Sequence, residues 1–152
     1  MTQQESDKKQ RAEDAQQRVR ELFQKAAFIT DIGYELAGVG QGWAETSLAV
    51  TARHGQAERF VHAGVLATMA DHTAGAAATT LVEPSEVVVT VEYKVNFLKP
   101  AIGDRLRCRA EVLRPGRTLS VVEAKVYAGN DDKKPVAAVM LTLAVIPDPS
   151  RP

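Results

Sequence analysis

The feature that most constrains the fold is a proline-free stretch, residues 62–82, in which small side chains predominate. Alanine favours helix, and Glu83-Pro84 ends the stretch because proline cannot continue the hydrogen-bonded ladder. The sequence therefore predicts one long central helix. Nine alanines and glycines leave this helix little apolar volume of its own. Because protein interiors are packed to crystal-like density, we expect a curved sheet to wrap closely around it.

The residues that would form this sheet follow Pro84, where the hydrophobic period changes to two. In "EVVVTVEYKVNFLKP" one predicted face consists of Val87, Val89, Val91, Tyr93, Val95 and Phe97, and the other of Thr90, Glu92, Lys94 and Asn96. The segments "DRLRCRAEVL", "TLSVVEAKVYA" and "PVAAVMLTLAVI" repeat the alternation, and "RPGR" and "GNDDKK" supply turns. Four consecutive half-buried strands after one helix predict an antiparallel sheet.

The residues before the central helix add two further elements. An apolar stripe of Val19, Leu22, Phe23 and Ala26 has helical spacing and predicts a helix ending near Ala27. "YELAGV" and "WAETSLAVT" predict a hairpin between residues 33 and 51, and "ARHGQAER" a polar loop in which His54 is solvated.

Together these elements predict an α+β fold, a curved antiparallel sheet wrapped around one long central helix, with an N-terminal helix. We expect a polar lead-in over residues 1–17, partly disordered or helical. A single domain over residues 18–147 and a tail over residues 148–152 would follow.

Charge and composition exclude several functional classes. The chain has 152 residues with 19 basic and 19 acidic side chains, interspersed along the sequence, so neither nucleic acid nor a membrane surface is an expected partner. Cys108 is the only cysteine, and the three histidines lack metal-ligand spacing, so neither a disulfide nor a metal is expected. With no signal sequence and no membrane-spanning run, we expect a cytoplasmic protein.

Two motifs carry a family resemblance over roughly residues 23–146. "HAGVLATMADHTAGAAA" and "VNFLKPAIGDRLRCRAEVLRPGR" resemble the hotdog-fold acyl-CoA thioesterases, in the PaaI-like branch of the 4-hydroxybenzoyl-CoA thioesterase superfamily. The first motif opens a helix with His-Gly-Gly and has an acid nine positions after the histidine. It corresponds here to His62, Ala63, Gly64 and Asp71. The second motif, a strand end before Gly-Asp, corresponds to Asn96, Phe97, Leu98, Lys99, Pro100, Gly103 and Asp104.

The resemblance implies thioester hydrolysis on an aromatic or medium-chain acyl-CoA. Asp71 would be the general base or nucleophile, and a backbone N–H at the start of the helix would bind the thioester oxygen. Ala63 replaces the usual glycine but still donates its N–H, and Gly64 is the next candidate. His62 would shape the turn. Coenzyme A is part of the substrate, so no separate cofactor is expected.

Other residues near the two motifs are candidates for binding the substrate. Asn96 and Phe97 belong to the second motif, and Lys99, Arg114 and Arg117 lie at predicted strand ends or turns. There a basic group could meet the phosphates of coenzyme A or could simply favour solubility. Two other functions stay open, an acyl-CoA sensor without turnover and a hotdog dehydratase. The dehydratase is less favoured because its "HFPG"-like setting is missing.

Spacing in the first motif predicts an assembly. Asp71 is eight residues beyond Ala63, which corresponds to about 12 Å along a helix. A single chain cannot easily bring both groups to one carbonyl. Two copies about a two-fold axis, with antiparallel helices, would form two shared sites. We therefore expect a homodimer, with pairs of dimers forming a tetramer.

Overall fold

The computed structural model describes residues 2–150, a curved antiparallel sheet with one long helix packed against its inner face. The helices are α1 (Gln3–Lys25), α2 (Ala27–Ile32) and α3 (Ala63–Thr79), and the strands are β1 (Tyr34–Gly40), β2 (Trp43–Ala49), β3 (Glu86–Phe97), β4 (Arg105–Arg114), β5 (Leu119–Ala128) and β6 (Ala137–Pro147). The predicted fold class is therefore confirmed. Residue 1 of the predicted lead-in and residues 151–152 of the predicted tail lie outside the described residues.

The strand order, β1-β2-β4-β5-β6-β3, determines which strands form the edges. Strand β3 crosses over to pair with β6, so it is one edge, and β1 is the other. Helix α3 packs against the middle strands, where Ala70, Ala74 and Ala77 are fully buried. Their small side chains let the sheet approach closely, as predicted. A larger residue at these positions would cost about 1–3 kcal/mol through overpacking.

Helix α1 runs without a break through the polar lead-in. Thr2 and Glu5 form a capping box at its start, in which each side chain accepts a hydrogen bond from the other residue's backbone N–H. The guanidinium of Arg18 then donates to the carbonyl oxygens of Thr79, Val82 and Glu83, at 3.3, 2.8 and 2.9 Å. Arg18 thereby ties α1 to the end of α3. No helix in residues 2–150 is long and apolar enough to cross a membrane.

The predicted alternation in β3 is wrong, because the strand contains a bulge. Thr90 lies opposite Leu143 and Tyr93 opposite Leu141, so both face inward with these buried leucines. The unpaired Val91 between them reverses the phase, because a bulge places two residues of one strand opposite one of its neighbour. Val87 and Val89 therefore face outward, on the side opposite Tyr93, Val95 and Phe97.

The segment before α3 is also more ordered than expected. Strands β1 and β2 form the predicted hairpin. His54, however, is buried instead of solvated, since its Nδ1 accepts a hydrogen bond from the Thr51 N–H and its Nε2 lies 2.8 Å from the carbonyl oxygen of Ile32. These two contacts give both ring nitrogens of His54 a partner, which allows the ring to be buried although the loop around it is polar.

Candidate active site

A carboxylate in the middle of α3 meets a hydroxyl group on the edge strand β3. The Thr90 hydroxyl donates to Oδ1 of Asp71 at 2.7 Å. Asp71 is half-buried, and Oδ2 has no hydrogen-bond partner among residues 2–150. Thr90 is inward only because of the bulge, so a simple alternation of apolar and polar residues could not have identified it. The pair gives an oriented carboxylate with one oxygen available to a further proton donor.

The start of α3 has one free backbone donor. His62 is the N-cap residue, and its Nδ1 accepts a hydrogen bond from the N–H of Gly64 at 2.9 Å. The carbonyl oxygen of His62 accepts from Val65. Within the described chain no acceptor faces the Ala63 N–H. Because the first turn carries the positive end of the helix dipole, this N–H suits an oxygen that gains negative charge.

A groove of about 440 Å³ adjoins this helix start. It brings together three of the predicted site residues, Ala63, Phe97 and Lys99. The Lys99 ammonium lies 2.9 Å from Oδ2 of Asp131. That bond, with the backbone N–H groups of Lys134 and Lys133, lowers the pKa of Asp131 to about 2. The positive charge of Lys99 is thus partly offset by the exposed carboxylate of Asp131.

The remaining predicted binding residues lie away from this groove. Asn96 is exposed and points to the outer face of the sheet, opposite Ala138. Arg114, the last residue of β4, and Arg117, in the β4–β5 turn, are exposed at the far end of the sheet. Phe97 pairs with Ala137 of β6, which in turn pairs with Val126 of β5. Arg114 pairs with Val121 of the same strand β5. Five residues along the strand and three strand spacings across it separate Phe97 from Arg114 by roughly 20 Å.

Metal binding and cysteine catalysis are two other kinds of chemistry that an enzyme can use. Among residues 2–150, no group of three or more His, Cys, Asp or Glu side chains is arranged to hold a metal ion. The expected lack of a metal or separate cofactor stays a prediction. Cys108 is fully buried, and this burial raises the pKa of its thiol to about 12, so it is not a ready nucleophile.

Comparison with known proteins gives the family. A model of the thioesterase superfamily matches residues 59–134, half of the chain, and this range holds all nine predicted site residues. The 1,4-dihydroxy-2-naphthoyl-CoA hydrolase of Listeria monocytogenes is 30% identical over 75% of this chain and 91% of its own.

Solved structures agree with this match. A thioesterase family protein from Silicibacter pomeroyi is 36% identical, with a TM-score of 0.85 over 88% of this chain and 99% of its own. The E. coli PaaI protein from the phenylacetic acid degradation operon, 23% identical, shares the fold with a TM-score of 0.80 over 89% of this chain and 95% of its own. The predicted class of enzyme, a thioester hydrolase, is confirmed, and the chain belongs to the thioesterase superfamily.

Proposed function

We propose that this protein hydrolyses acyl-CoA thioesters with an aromatic or medium-chain acyl group, and that Asp71 acts as general base or nucleophile. The observation that carries the proposal is the Asp71–Thr90 pair, a half-buried carboxylate with one oxygen held and the other available. The Listeria relative, named as a hydrolase of a naphthoyl-CoA, supports an aromatic acyl-CoA as substrate.

The reaction needs two groups at the thioester carbonyl. Water attacks the carbon, a C–O bond forms, the C–S bond breaks, and the sulfur leaves as the thiol of coenzyme A. Oδ2 of Asp71 takes the proton from the attacking water or itself attacks the carbon, forming an anhydride that water then opens. The Ala63 N–H binds the oxygen as its charge grows. His62 acts indirectly, by holding the first turn and engaging the N–H of Gly64.

The site is completed by a second copy of the chain. Ala63 and Asp71 lie about 12 Å apart along one rigid helix, too far to act on one carbonyl. Exposed apolar side chains on the β3 edge, Val91, Tyr93 and Phe97, favour pairing of two β3 strands. Such a two-fold dimer can bring the partner's Ala63 to Asp71 in two equal sites. Further exposed apolar residues on the sheet, Leu113, Leu119 and Met140, support pairing of dimers.

The coenzyme A part of the substrate is recognised at the ends of the sheet. Phe97 and Lys99 line the groove beside Ala63, and Asn96 directly precedes Phe97 in the sequence. Arg114 and Arg117 are exposed cations suited to phosphate. Because they lie roughly 20 Å from Phe97 in one chain, the two groups serve a single coenzyme A only across subunits. A reducing cytoplasm suits both this substrate and the single buried thiol of Cys108.

Replacement of Asp71 by its amide tests the chemistry. Asp71→Asn is nearly isosteric and keeps an acceptor for Thr90, so we expect native sedimentation. Thiol release from phenylacetyl-, hydroxybenzoyl- and straight-chain acyl-CoAs should fall at least about 10²-fold in kcat. Asp14→Asn, an exposed carboxylate on α1, is the matched control and should keep parental rates. Parental activity of Asp71→Asn would show that this carboxylate is structural.

A further inference from the structure

One buried histidine outside the candidate site connects three elements that meet near the start of α3. His54 is 4% exposed and ends a short 3-10 helix, Ala52–His54, that follows β2. Its ring lies beside Ile32, the last residue of α2, and its main chain lies beside His62, the residue that caps α3. No step of the proposed reaction involves His54, so the reason for its burial must lie in these contacts.

The two ring nitrogens of His54 bond to different elements. The N–H of Thr51 donates to Nδ1 at 2.9 Å, so Nδ1 is the nitrogen without a hydrogen. Nε2 lies 2.8 Å from the carbonyl oxygen of Ile32, which can only accept, so Nε2 carries the hydrogen. The two bonds fit one tautomer of the neutral ring. This ring joins its own loop to the end of α2.

The main chain of His54 holds the residue before the proposed oxyanion donor. Its carbonyl oxygen accepts from the N–H of His62 at 2.8 Å. Gly55 and Val61 form a bridge directly beside this bond, so the two ends of the intervening loop are held together. His62 immediately precedes Ala63, whose N–H is the proposed donor. A shift of His54 is therefore passed to that N–H through a single residue.

The place of this N–H has to be fixed from outside the helix. The first N–H groups of a helix have no partner within the helix, so the first turn is the part that frays. An oxyanion donor acts only at about 2.7–3.1 Å from the oxygen that gains charge. A misplacement of about 1 Å can cost about 10²-fold in rate. A contact that holds the start of α3 in place therefore affects catalysis without touching the substrate.

We propose that His54 is a positioning residue for the reaction, which ties the start of α3 to the end of α2 and thereby fixes the Ala63 N–H at the oxyanion. This inference rests on the proposed function, because it takes that N–H as the donor. Of the two ring bonds, the one to Ile32 joins separate elements, whereas the one from Thr51 stays within the loop. The bond to Ile32 should therefore carry the effect.

Two amide replacements separate the ring bonds of His54. In His54→Gln the amide reaches the place of Nε2 and can donate to Ile32, whereas in His54→Asn it reaches the place of Nδ1 and can accept from Thr51. On the acyl-CoA that the parent hydrolyses fastest, we expect kcat to stay within about threefold in His54→Gln and to fall about tenfold in His54→Asn. KM should not change, because the oxyanion contact forms in the transition state. Equal losses of kcat, or a change in KM alone, would overturn the positioning role.

Arg53 provides a matched control at the same end of α2. Its guanidinium donates to the carbonyl oxygen of Asp31, but the side chain is exposed, so water can replace the lost partner. Arg53→Gln should therefore keep the parental kcat. Melting temperatures and sedimentation check that each variant is folded and dimeric at the assay temperature. A loss in Arg53→Gln equal to that in His54→Asn would show that the effect is not specific to His54.

Combination with Ala63→Pro separates this inference from the proposed function. Proline removes the N–H of residue 63, so a side chain that acts by positioning this N–H has nothing left to position. In the Ala63→Pro background, His54→Asn should reduce kcat by less than about twofold, whereas independent effects would multiply. A full tenfold loss in that background would overturn the role of His54 and leave the donor intact. Parental kcat in Ala63→Pro alone would instead overturn the donor, and with it the proposed function.

Discussion

The two edges of the sheet differ in how well each suits the binding of a second copy of the chain. Edge β1 is seven residues long and packs against α1 and α2. Edge β3 has twelve residues and exposes Val91, Tyr93 and Phe97, at 60%, 46% and 48% of their surface. A long apolar edge is a template for pairing with another strand, whereas a short covered edge resists it. The β3 edge is therefore the one suited to association.

Each edge also contains one bulge, which permits a matched comparison. Ala37 is unpaired in β1 and Val91 is unpaired in β3. Only the bulge in β3 adjoins a residue that contacts Asp71, namely Thr90. The edge that offers the association surface thus also supplies part of the candidate site, so assembly and catalysis should be lost together.

The largest effect is expected from a charge at the β3 bulge. Val91→Lys places like charges together where two β3 edges meet, so we expect a folded monomer by sedimentation. Without a partner, Asp71 has no N–H donor opposite it. Loss of the donor and misplacement of the base should reduce kcat/KM by at least about 10³-fold.

Ala37→Lys is the control on the other edge. It adds the same charge at an exposed bulge residue, and it should leave both the dimer and its activity unchanged. If Ala37→Lys dissociates the protein and Val91→Lys does not, the assignment of the two edges is reversed. An active Val91→Lys monomer would contradict the shared site.

The sheet and the central helix could be predicted from the sequence, but the position of β3 at the edge of the sheet could not. Alternation in β4, β5 and β6 and the alanines of α3 are local patterns, and they predicted these elements correctly. The crossover that pairs β3 with β6 depends on the whole sheet and has no local signature. The bulge at Val91 also has no local sequence signal, because valine is common on both the inward and the outward face of a strand.

The next-largest effect is expected from removal of the Ala63 N–H, the donor that would come from the other chain of each shared site. Ala63→Pro removes the free N–H at a helix position that accepts proline, so the fold should survive. Loss of one oxyanion donor should reduce kcat by about 10²–10³-fold. Ala63→Gly keeps the N–H and should keep the activity. Far-ultraviolet circular dichroism and sedimentation check that the proline variant folds and assembles.

Mixing two inactive variants tests directly whether the two chains share each site. In a heterodimer of Ala63→Pro and Asp71→Asn chains, one shared site carries both defects and the other carries none. After complete exchange of subunits at equal concentrations, the activity should return to about one quarter of the parental rate, because half of the dimers have one intact site. No recovery after proven exchange would mean that Ala63 and Asp71 of the same chain act together.

The candidate site was predictable where a motif is continuous in sequence. His62 and Asp71 belong to one motif with a recognisable spacing, and His62 is the N-cap residue of the helix that holds Asp71. Roles that depend on long-range contacts were not predictable. The pairing of Lys99 with Asp131 joins two loops, and the edge-on contact of His72 with Phe23 depends on how α1 packs against α3.

The smallest effect is expected at Thr90, which acts through Asp71. Thr90→Val keeps the shape and favours strand, so folding and assembly should persist. The lost hydrogen bond leaves the carboxylate free to rotate, and we expect kcat to fall about tenfold, in the range for a bond to a charged group. Thr142→Val is the matched control, because the Thr142 hydroxyl donates to Glu92 at 3.2 Å on the outer face of the same strand pair. Loss of activity in Thr90→Val alone would show that the inward phase created by the bulge is functional. Equal activity of the two variants would contradict a positioning role for Thr90.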